Sequence, residues 1–227
     1  MEFASKIDMG RAMTLLQLFY KNRFQALVWN QIGADSLKSE IIRKMLHFLI
    51  ALTPVLASFN KIATVALLMI GTLGYTLMEY LRISGVKVPI ISAITSMASR
   101  PRDAGRFVIG PVTLGLGALL ALLLYPSAAA AIAIYALAFG DGIASLAGRI
   151  FGKWRPDFLF GKSIEGSIAC FTVVFACAFA VSGNVHIAAA AAFTAMVIEA
   201  LPLEDFDNIA IPVSVGLIVH IVSVTII

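Results

Sequence analysis

Seven apolar stretches make up most of this 227-residue sequence. They lie at about residues 42–60, 62–81, 106–125, 127–146, 164–182, 185–203 and 209–227. Each is close to the length of about 20 residues that a helix needs to cross the hydrocarbon core of a bilayer. The chain is 60% hydrophobic and only 13% charged, whereas soluble domains carry about 25% charged residues. The sequence therefore predicts an all-α, polytopic integral membrane protein of about seven transmembrane helices.

The basic residues indicate how these helices are oriented. If the chain crosses seven times, 16 of its 17 lysines and arginines lie on one face, and only Lys61 lies on the other. Cytoplasmic loops carry the excess of basic residues, so we expect a cytoplasmic N-terminus, and we attribute the net charge of +4 to topology rather than to nucleic-acid binding. All 13 acidic residues fall on the cytoplasmic face or in the cytoplasmic half of a span. A charge- or metal-dependent activity on that face would explain them.

Residues 1–40 are more polar than the rest of the chain. Within them, residues 11–30 mix leucines and aromatic residues with Lys21 and Arg23, a pattern typical of a helix that lies in the membrane interface. We expect a cytoplasmic or interfacial segment at 1–40 and a single transmembrane helical domain at 41–227 that carries the functional residues.

The fourth stretch ends in an ionisable residue that its length places inside the membrane. Only 12 residues separate Ser127 from Gly140, about 18 Å of helix, which is too short to cross. The span must continue through Asp141 to about Leu146, so Asp141 lies a turn or more below the cytoplasmic boundary. Ionisable residues at such depth are costly and are functional candidates by default. The alternative is a helix that ends early and leaves Asp141 exposed as a cap.

Small residues follow Asp141 on the same helix face. Ala144, Gly148 and Gly152 come three, seven and eleven residues after it, and the four positions lie within about 80° of one another around a helix. A carboxylate followed by a groove of small residues fits a nucleotide or its phosphates. The alternative is a stripe of small residues that packs against a neighbouring helix.

The segment FGKSIEGS at 160–167 brings Lys162 and Ser163 to the cytoplasmic start of the fifth span. A helix N-terminus beside a lysine and glycines is suited to bind phosphate. Glu165 fits beside such an anion if a divalent cation bridges the two. The tripeptide GKS is not part of a P-loop, because Pro156 stands where that motif needs its first glycine.

Two further polar clusters are expected on the same face. RKMLH at 43–47 supplies Arg43, Lys44 and His47; a topology anchor and a buried packing histidine are the alternatives. EALPLEDFDN at 199–208 supplies the polar residues Glu199, Glu204, Asp205, Asp207 and Asn208. Clustered carboxylates without a lysine or arginine among them are typical of hard-cation sites, and a solvated turn is the alternative. Glu79, near the end of the second span, completes the acidic ring.

Three of these motifs jointly resemble the dolichol kinase and phytol kinase family, membrane enzymes that phosphorylate lipid alcohols, typically with CTP. The family pattern is D-x-x-A-x-x-x-G, then a glycine- and basic-rich loop, then K-[ST]-x-E-G. Its matching residues here are Asp141, Ala144, Gly148, Lys162, Ser163, Glu165 and Gly166. RKMLH is similar to the family's first-helix motif. The residues similar to the late acidic motif are Glu199, Pro202, Asp207, Asn208 and Pro212. The likeness covers about residues 41–215.

The resemblance implies a CTP-dependent kinase for an isoprenoid alcohol such as phytol, farnesol, geranylgeraniol or a polyprenol. The Mg²⁺ ligands that it implies are Asp141, Glu165, Glu199 and Asp207. Together with the groove and the two polar clusters, it leads us to expect the following nucleotide-binding residues: Ala144, Gly148, Gly152, Lys162, Ser163, Gly166, Arg43, Lys44 and Asn208. We expect Asp141 and Glu165 to be the catalytic metal ligands, and His47 or Glu199 to position or deprotonate the lipid hydroxyl.

Other functions remain open at this point. CTP-dependent diacylglycerol kinases share the signature. Phosphatidate cytidylyltransferases are similar in a more general way, but this chain does not match their C-terminal signature. A transporter is the alternative of another class, but transporter sites lie near mid-membrane, and the outer half of this chain has no carboxylate. The short length is similar to bacterial phytol-kinase-type members. We therefore expect a bacterial or archaeal plasma membrane. The charge distribution predicts a site facing the cytoplasm, and the kinase resemblance implies a lipid alcohol and a nucleoside triphosphate as partners.

Overall fold

The computed structural model describes residues 40–226 except 46, 90–91, 93–94, 96–102 and 104. The segment predicted at 1–40 lies outside the described residues, apart from Glu40, and so does the interfacial helix predicted at 11–30. From Glu40 onward the chain forms one compact unit. All regular structure in the described residues is helical, which confirms the all-α prediction.

Six helices are described along their length. They are α1 (Glu40–Ile83), α2 (Gly110–Leu124), α3 (Ser127–Ile150), α4 (Ile164–Ser182), α5 (Val185–Ala200) and α6 (Asp207–Ile226). Short 3-10 turns occupy Ile50–Leu52, Asp157–Leu159 and Glu204–Phe206, and a π-helical turn occupies Ala136–Asp141 within α3.

Four helices are long and apolar enough to cross a membrane, which supports the prediction of a membrane protein. They are Glu40–Ile83, Ser127–Ile150, Ile164–Ser182 and Glu204–Thr225. The other two, α2 and α5, are apolar but have only 15 and 16 residues. Large apolar side chains such as Phe59, Ile62 and Phe193 are exposed on the outside of the bundle, as expected for a surface that faces lipid rather than water.

The helices α2 and α5 are shorter than the spans predicted at 106–125 and 185–203. The first prediction begins four residues too early, because Pro111 lies in the first turn of α2, where proline favours a helix start. The second ends three residues too late, because the residue before a proline is pushed to extended angles. Leu201 precedes Pro202 and has ψ 150°, so α5 ends at the residue before it.

Asn60 divides α1 into two halves. Its φ of −155° and ψ of 99° are not helical, and its Oδ1 accepts a hydrogen bond from the Ala63 amide at 3.0 Å, which caps the second half. A continuous helix would separate Lys44 from Tyr75 by about 46 Å, yet both residues line the same cavity. The chain therefore reverses direction at Asn60, where the sequence predicts a polar break between the first two spans.

The central helix of the bundle is α3. In its most apolar window 67% of the residues are buried, against 11–33% in the other three long helices. Its buried side chains include Ile132, Ile134 and Leu137, among many alanines. It contacts α2, α4 and α6, and the small alanine side chains let those helices approach closely. Residues on α3 are therefore placed in the middle of the protein.

The π-helical turn of α3 ends at Asp141, which is only 5% exposed. Such turns are frequent at functional sites. Two glycines flank the carboxylate where other elements come close. A Cβ on Gly140 would lie 2.8 Å from Val174 Cγ2, and a Cβ on Gly142 would lie 2.3 Å from Phe48 Cε1. The glycines thus allow α4 and the first half of α1 to pack on either side of Asp141.

Candidate functional site

A cavity of about 620 Å³ lies where the start of α1, the second half of α3, the start of α4, the end of α5 and the start of α6 converge. Its charged and titratable lining residues are Arg43, Lys44, His47, Tyr75, Asp103, Asp141, Arg149, Arg155, Lys162, Glu199, Glu204, Asp205 and Asp207. On the side of α2 its lining is apolar, with Val108, Pro111 and Leu114. The cavity therefore combines a strongly charged surface with an apolar one.

Most of the predicted site residues meet at this cavity. Of the 14 residues that the sequence predicts, 12 line it, and Gly152 and Glu165 do not. Charged residues that sequence reasoning left without a role also line it, notably Arg149 and Arg155.

Two residues of α1 hold the buried carboxylate of Asp141. Lys44 Nζ donates a hydrogen bond to Asp141 Oδ2 at 2.5 Å, and His47 Nε2 lies 3.2 Å from the same oxygen. The histidine is not aligned for a hydrogen bond, so its Nε2 has no hydrogen-bond partner among the described residues. Because α3 continues past Asp141 to Ile150, the alternative in which Asp141 is an exposed helix cap does not hold.

A second buried carboxylate, Glu40, anchors the start of α1 to α3. Its Oε1 accepts hydrogen bonds from Ser145 Oγ at 2.6 Å and from Arg43 Nη2, and its Oε2 lies 3.3 Å from Arg149 Nη2. Sequence reasoning missed Glu40 by assigning it to the N-terminal segment. Its position three residues before Arg43 is a helical ion-pair spacing that would have pointed to it.

Lys162 is paired with Glu199 at the edge of the cavity. Its Nζ donates to Glu199 Oε1 at 2.9 Å and also to the backbone carbonyl oxygen of Glu199. A cation near the C-terminus of α5 is also favoured by the helix dipole. The carboxylate is nearly buried, whereas the lysine side chain is 31% exposed. Lys162 therefore joins α4 to α5 and still reaches the open part of the cavity.

The start of α4 fills much of the groove of small residues on α3. Ser163 Oγ accepts a hydrogen bond from the Gly166 amide at 3.1 Å and caps α4. A Cβ on Gly148 would lie 2.9 Å from that Oγ, and a Cβ on Gly166 would lie 2.8 Å from the Ala144 carbonyl oxygen. The small residues thus serve helix packing, the alternative interpretation of the stripe. Ala144, Gly148, Ser163 and Gly166 also line the cavity, whereas Gly152 does not.

Glu165 holds the loop between α3 and α4. Its Oε1 accepts hydrogen bonds from the backbone amides of Lys153 at 2.9 Å and Trp154 at 3.2 Å. Its Oε2 is buried and has no hydrogen-bond partner among the described residues. The side chain does not line the cavity, so its visible role is to shape the loop.

Arg155 closes the same loop from the other side. Its Nη2 donates to the Gly148 carbonyl oxygen at 2.5 Å, and its Nη1 donates to the Gly161 carbonyl oxygen at 2.6 Å. The guanidinium therefore connects the last turn of α3 to the residue before Lys162. Sequence reasoning gave Arg155 no specific role, because its partners are backbone carbonyls, which no residue pattern reveals.

The acidic turn contributes Asp207 and Asn208 to the cavity. Asp207 interacts electrostatically with Asp141, Lys44 and Lys162. Asn208 is 4% exposed. Its Nδ2 donates to Thr113 Oγ1 at 2.9 Å, while its Oδ1 has no partner among the described residues. Asn208 therefore fixes the start of α6 to α2, and Asp207, the residue before it, lines the cavity.

Glu79, which the sequence places in the acidic ring, lies outside the lining of the cavity. It is fully buried and accepts two hydrogen bonds from Arg82, each at 2.7 Å, and one from the Val108 amide at 2.9 Å. Arg82 in turn donates to the Arg106 carbonyl oxygen at 2.9 Å. This network ties the end of α1 to the segment before α2, which forms part of the apolar wall.

The four predicted metal ligands do not form one cluster. The described residues contain no group of three or more His, Cys, Asp or Glu that could hold a metal ion. Glu165 holds a loop, and Glu199 accepts from Lys162. Asp141 and Asp207 line the cavity and interact electrostatically. Magnesium is usually held by one or two carboxylates together with substrate phosphates, so this pair fits a metal that arrives with a nucleotide better than a permanent metal centre.

No family model, no curated protein and no solved structure matches this chain. The cavity is therefore interpreted from its own geometry.

Proposed function

We propose that the protein is a membrane phosphotransferase that moves the terminal phosphate of a nucleoside triphosphate, CTP, to the hydroxyl of a lipid alcohol, with an isoprenoid alcohol as the preferred acceptor. The observation that carries this proposal is the cavity itself. Cations, two interacting carboxylates and an apolar wall meet there at one end of a bundle of apolar helices. A nucleotide with its metal ion needs the cations and the carboxylates, and a lipid needs the apolar wall.

The cations supply the surface for the phosphates. Phosphoryl transfer is catalysed mainly by positioning and by electrostatic stabilisation of the transferred group. Lys162, Arg43 and Arg155 line the cavity, and Lys44 lies beside Asp141. Lys162 is the favoured phosphate ligand, because its side chain is the more exposed member of its ion pair and a bound phosphate offers its ammonium group an alternative to Glu199.

The carboxylates fit a metal that enters with the nucleotide. Asp141 and Asp207 would hold Mg²⁺, which neutralises charge on the transferred phosphate when it is bound. In the absence of nucleotide, Lys44 neutralises Asp141 at 2.5 Å. Lys44 then keeps a buried carboxylate ionised at a depth where an unpaired charge would be costly.

The apolar wall fits the acceptor. Val108, Pro111 and Leu114 line the side of the cavity next to α2, so the chain of the lipid would lie against them and its hydroxyl would reach the charged surface. The hydroxyl oxygen forms a bond to the terminal phosphorus, the bond from that phosphorus to the bridging oxygen breaks, and the nucleoside diphosphate leaves. The proton of the hydroxyl passes to a base in the protein.

Of the two predicted bases, His47 is favoured over Glu199. His47 Nε2 carries no hydrogen bond from the described residues and lies beside Asp141. Glu199 Oε1 accepts from Lys162, so a proton acceptor there would first have to lose that contact. In this proposal Glu199 positions Lys162, and His47 accepts the proton.

We also propose seven crossings, with the cavity facing the cytoplasm. The two halves of α1 run in opposite directions from Asn60, and each of the other five helices supplies one further crossing. The short helices α2 and α5 would be completed by the apolar residues next to them. The basic residues that line the cavity then lie on the cytoplasmic side, as the excess of cytoplasmic positive charge requires.

The proposal is tested by a panel assay. Purified protein, Mg²⁺ and γ-labelled CTP or ATP are offered phytol, farnesol, a polyprenol and diacylglycerol, and label in the lipid is measured. We expect label from CTP in an isoprenoid alcohol. Label only in diacylglycerol would identify diacylglycerol as the acceptor and would still support a kinase activity. Release of pyrophosphate with phosphatidate would indicate a cytidylyltransferase instead, and no label in any lipid would contradict the proposal.

A further inference from the structure

A second cavity, of about 370 Å³, lies at the other end of the bundle. It is lined by Ser127, the first residue of α3, which precedes Asp141 by about 21 Å of helix. No residue lines both cavities. Whatever occupies the second cavity is therefore separate from the proposed phosphotransfer site.

The second cavity is a groove with mainly small and apolar walls. The first half of α1 contributes Ala57, α2 contributes Leu122, and α3 contributes Ala128, Ala131 and Tyr135. The alanines leave space between the helices that larger side chains would fill. Ala128 is exposed and Ala131 half-buried, so the groove is open at its side. Its shape and polarity fit a hydrocarbon chain.

Lys61 is the charged residue of this groove. Its side chain is exposed, and no ion-pair partner is found for it among the described residues. Two of the neighbouring hydroxyl groups are already used: Ser58 Oγ donates to the Val55 carbonyl oxygen at 2.7 Å, and Tyr125 Oη donates to the Val213 carbonyl oxygen at 2.6 Å. Lys61 therefore provides an uncompensated positive charge at an otherwise apolar groove.

Helix ends of both polarities lie at this groove. Lys61 and Ser127 are the first residues of the second half of α1 and of α3, whereas Leu122 and Val181 lie in the last turns of α2 and α4. The helix dipoles therefore offset one another, and the side chain of Lys61 supplies the charge of the groove. A positive side chain at an apolar groove favours an anion joined to an apolar chain over an uncharged lipid.

We infer that this groove is a binding site for an anionic phospholipid of the leaflet at that end of the bundle, with the phosphate at Lys61 and one acyl chain along the alanines of α3. The inference rests on the groove and its charge, not on the proposed phosphotransferase activity. The test of the groove measures lipid binding and not phosphate transfer. A negative result for the groove therefore does not affect the proposed phosphotransferase activity, and the reverse also holds.

The test uses native mass spectrometry of the purified full chain in detergent. The protein is mixed with equal amounts of phosphatidylglycerol and phosphatidylcholine that carry the same acyl chains. We expect phosphatidylglycerol to be retained about fivefold over phosphatidylcholine, the contribution of one lysine near an anionic membrane surface. Lys61→Gln should abolish this preference. Lys87→Gln is the matched control, because Lys87 is also exposed but lines neither cavity.

The acyl-chain part is tested with Ala131→Phe, which should lower the retention of both lipids by filling the groove. Ala128→Leu, at a more exposed position of the same wall, serves the same purpose if Ala131→Phe does not fold. An unchanged preference in Lys61→Gln would overturn the inference. Displacement of phosphatidylglycerol by equimolar glycerol phosphate would overturn it too, because the acyl chain would then contribute nothing. Loss of a dimer in Lys61→Gln would instead identify the groove as a contact between two copies.

Discussion

Lys44 Nζ lies 2.5 Å from Asp141 Oδ2, although 97 residues separate them in the sequence. Both side chains are almost completely buried. A charge at such depth is tolerated when it is paired with an opposite charge, so the contact joins α1 to the central helix at the cavity. The pair stabilises the fold, and in the proposed function Lys44 balances the charge of Asp141.

The first prediction concerns the stability of this pair. Lys44→Met should lower the free energy of unfolding by about 3–5 kcal/mol, because it leaves Asp141 as an uncompensated buried charge. Adding Asp141→Asn should restore much of the loss, because no charge then remains. Unfolding in detergent is the measurement, with Lys87→Gln as the control. If the effects of the two substitutions were simply additive, the side chains would not be coupled.

The second prediction concerns Lys162. Lys162→Ala should weaken nucleotide use about ten- to a hundredfold, because a charge-assisted contact to phosphate is lost. Lys153→Ala is the matched control, since the side chain of Lys153 is exposed and does not line the cavity. The measurement is kcat/KM for the nucleotide. Equal losses in the two variants would indicate a diffuse basic surface rather than a site.

The third prediction concerns Arg155. Arg155→Ala should impair nucleotide use as strongly as Lys162→Ala, because it removes the two hydrogen bonds by which Arg155 joins the residue before Lys162 to α3. Arg155→Lys should not restore activity, since a single ammonium group lacks the forked geometry that bridges Gly148 and Gly161. The measurement compares KM for nucleotide with KM for lipid. A change in the lipid KM alone would argue against this role.

Much of the architecture follows from local patterns in the sequence. The fifth predicted span, 164–182, coincides with α4, because Ser163 caps its start and Gly183 supplies the left-handed φ of 62° that ends it. The reversal at Asn60 follows from a polar residue between two apolar stretches. The place of Asp141 inside α3 rather than at its end follows from the length of the apolar run before it.

The contacts within the site could not be predicted in the same way. Glu40 and Arg149 are 109 positions apart in the sequence, and only the packing of α1 on α3 brings them together. Glu165 has the residue type of a metal ligand, but it accepts from the backbone amides of Lys153 and Trp154. Long-range pairs and side-chain-to-backbone contacts leave no periodic signal in a sequence.

The fourth prediction concerns topology. In a background with Cys170→Ala and Cys177→Ala, a single cysteine is introduced at Asp157, Phe206 or His186, all of which are exposed. With seven crossings, His186→Cys should react with a membrane-impermeant reagent in intact cells. Asp157→Cys and Phe206→Cys should react only after permeabilisation. Opposite accessibility of these two positions would separate the loop from the acidic turn and would contradict a shared site.

The most direct test of the phosphotransferase proposal is the rate of transfer from γ-labelled CTP to lipid by Asp141→Asn. This substitution keeps the shape of the side chain and removes its charge, so it removes the proposed metal ligand and the partner of Lys44. Asp157→Asn is the matched control, because Asp157 is exposed and lines neither cavity. We predict near-complete loss of transfer per amount of folded, membrane-inserted Asp141→Asn protein, in addition to the lower stability that follows from leaving Lys44 without its partner, and wild-type transfer in Asp157→Asn. Wild-type turnover in Asp141→Asn would contradict the account.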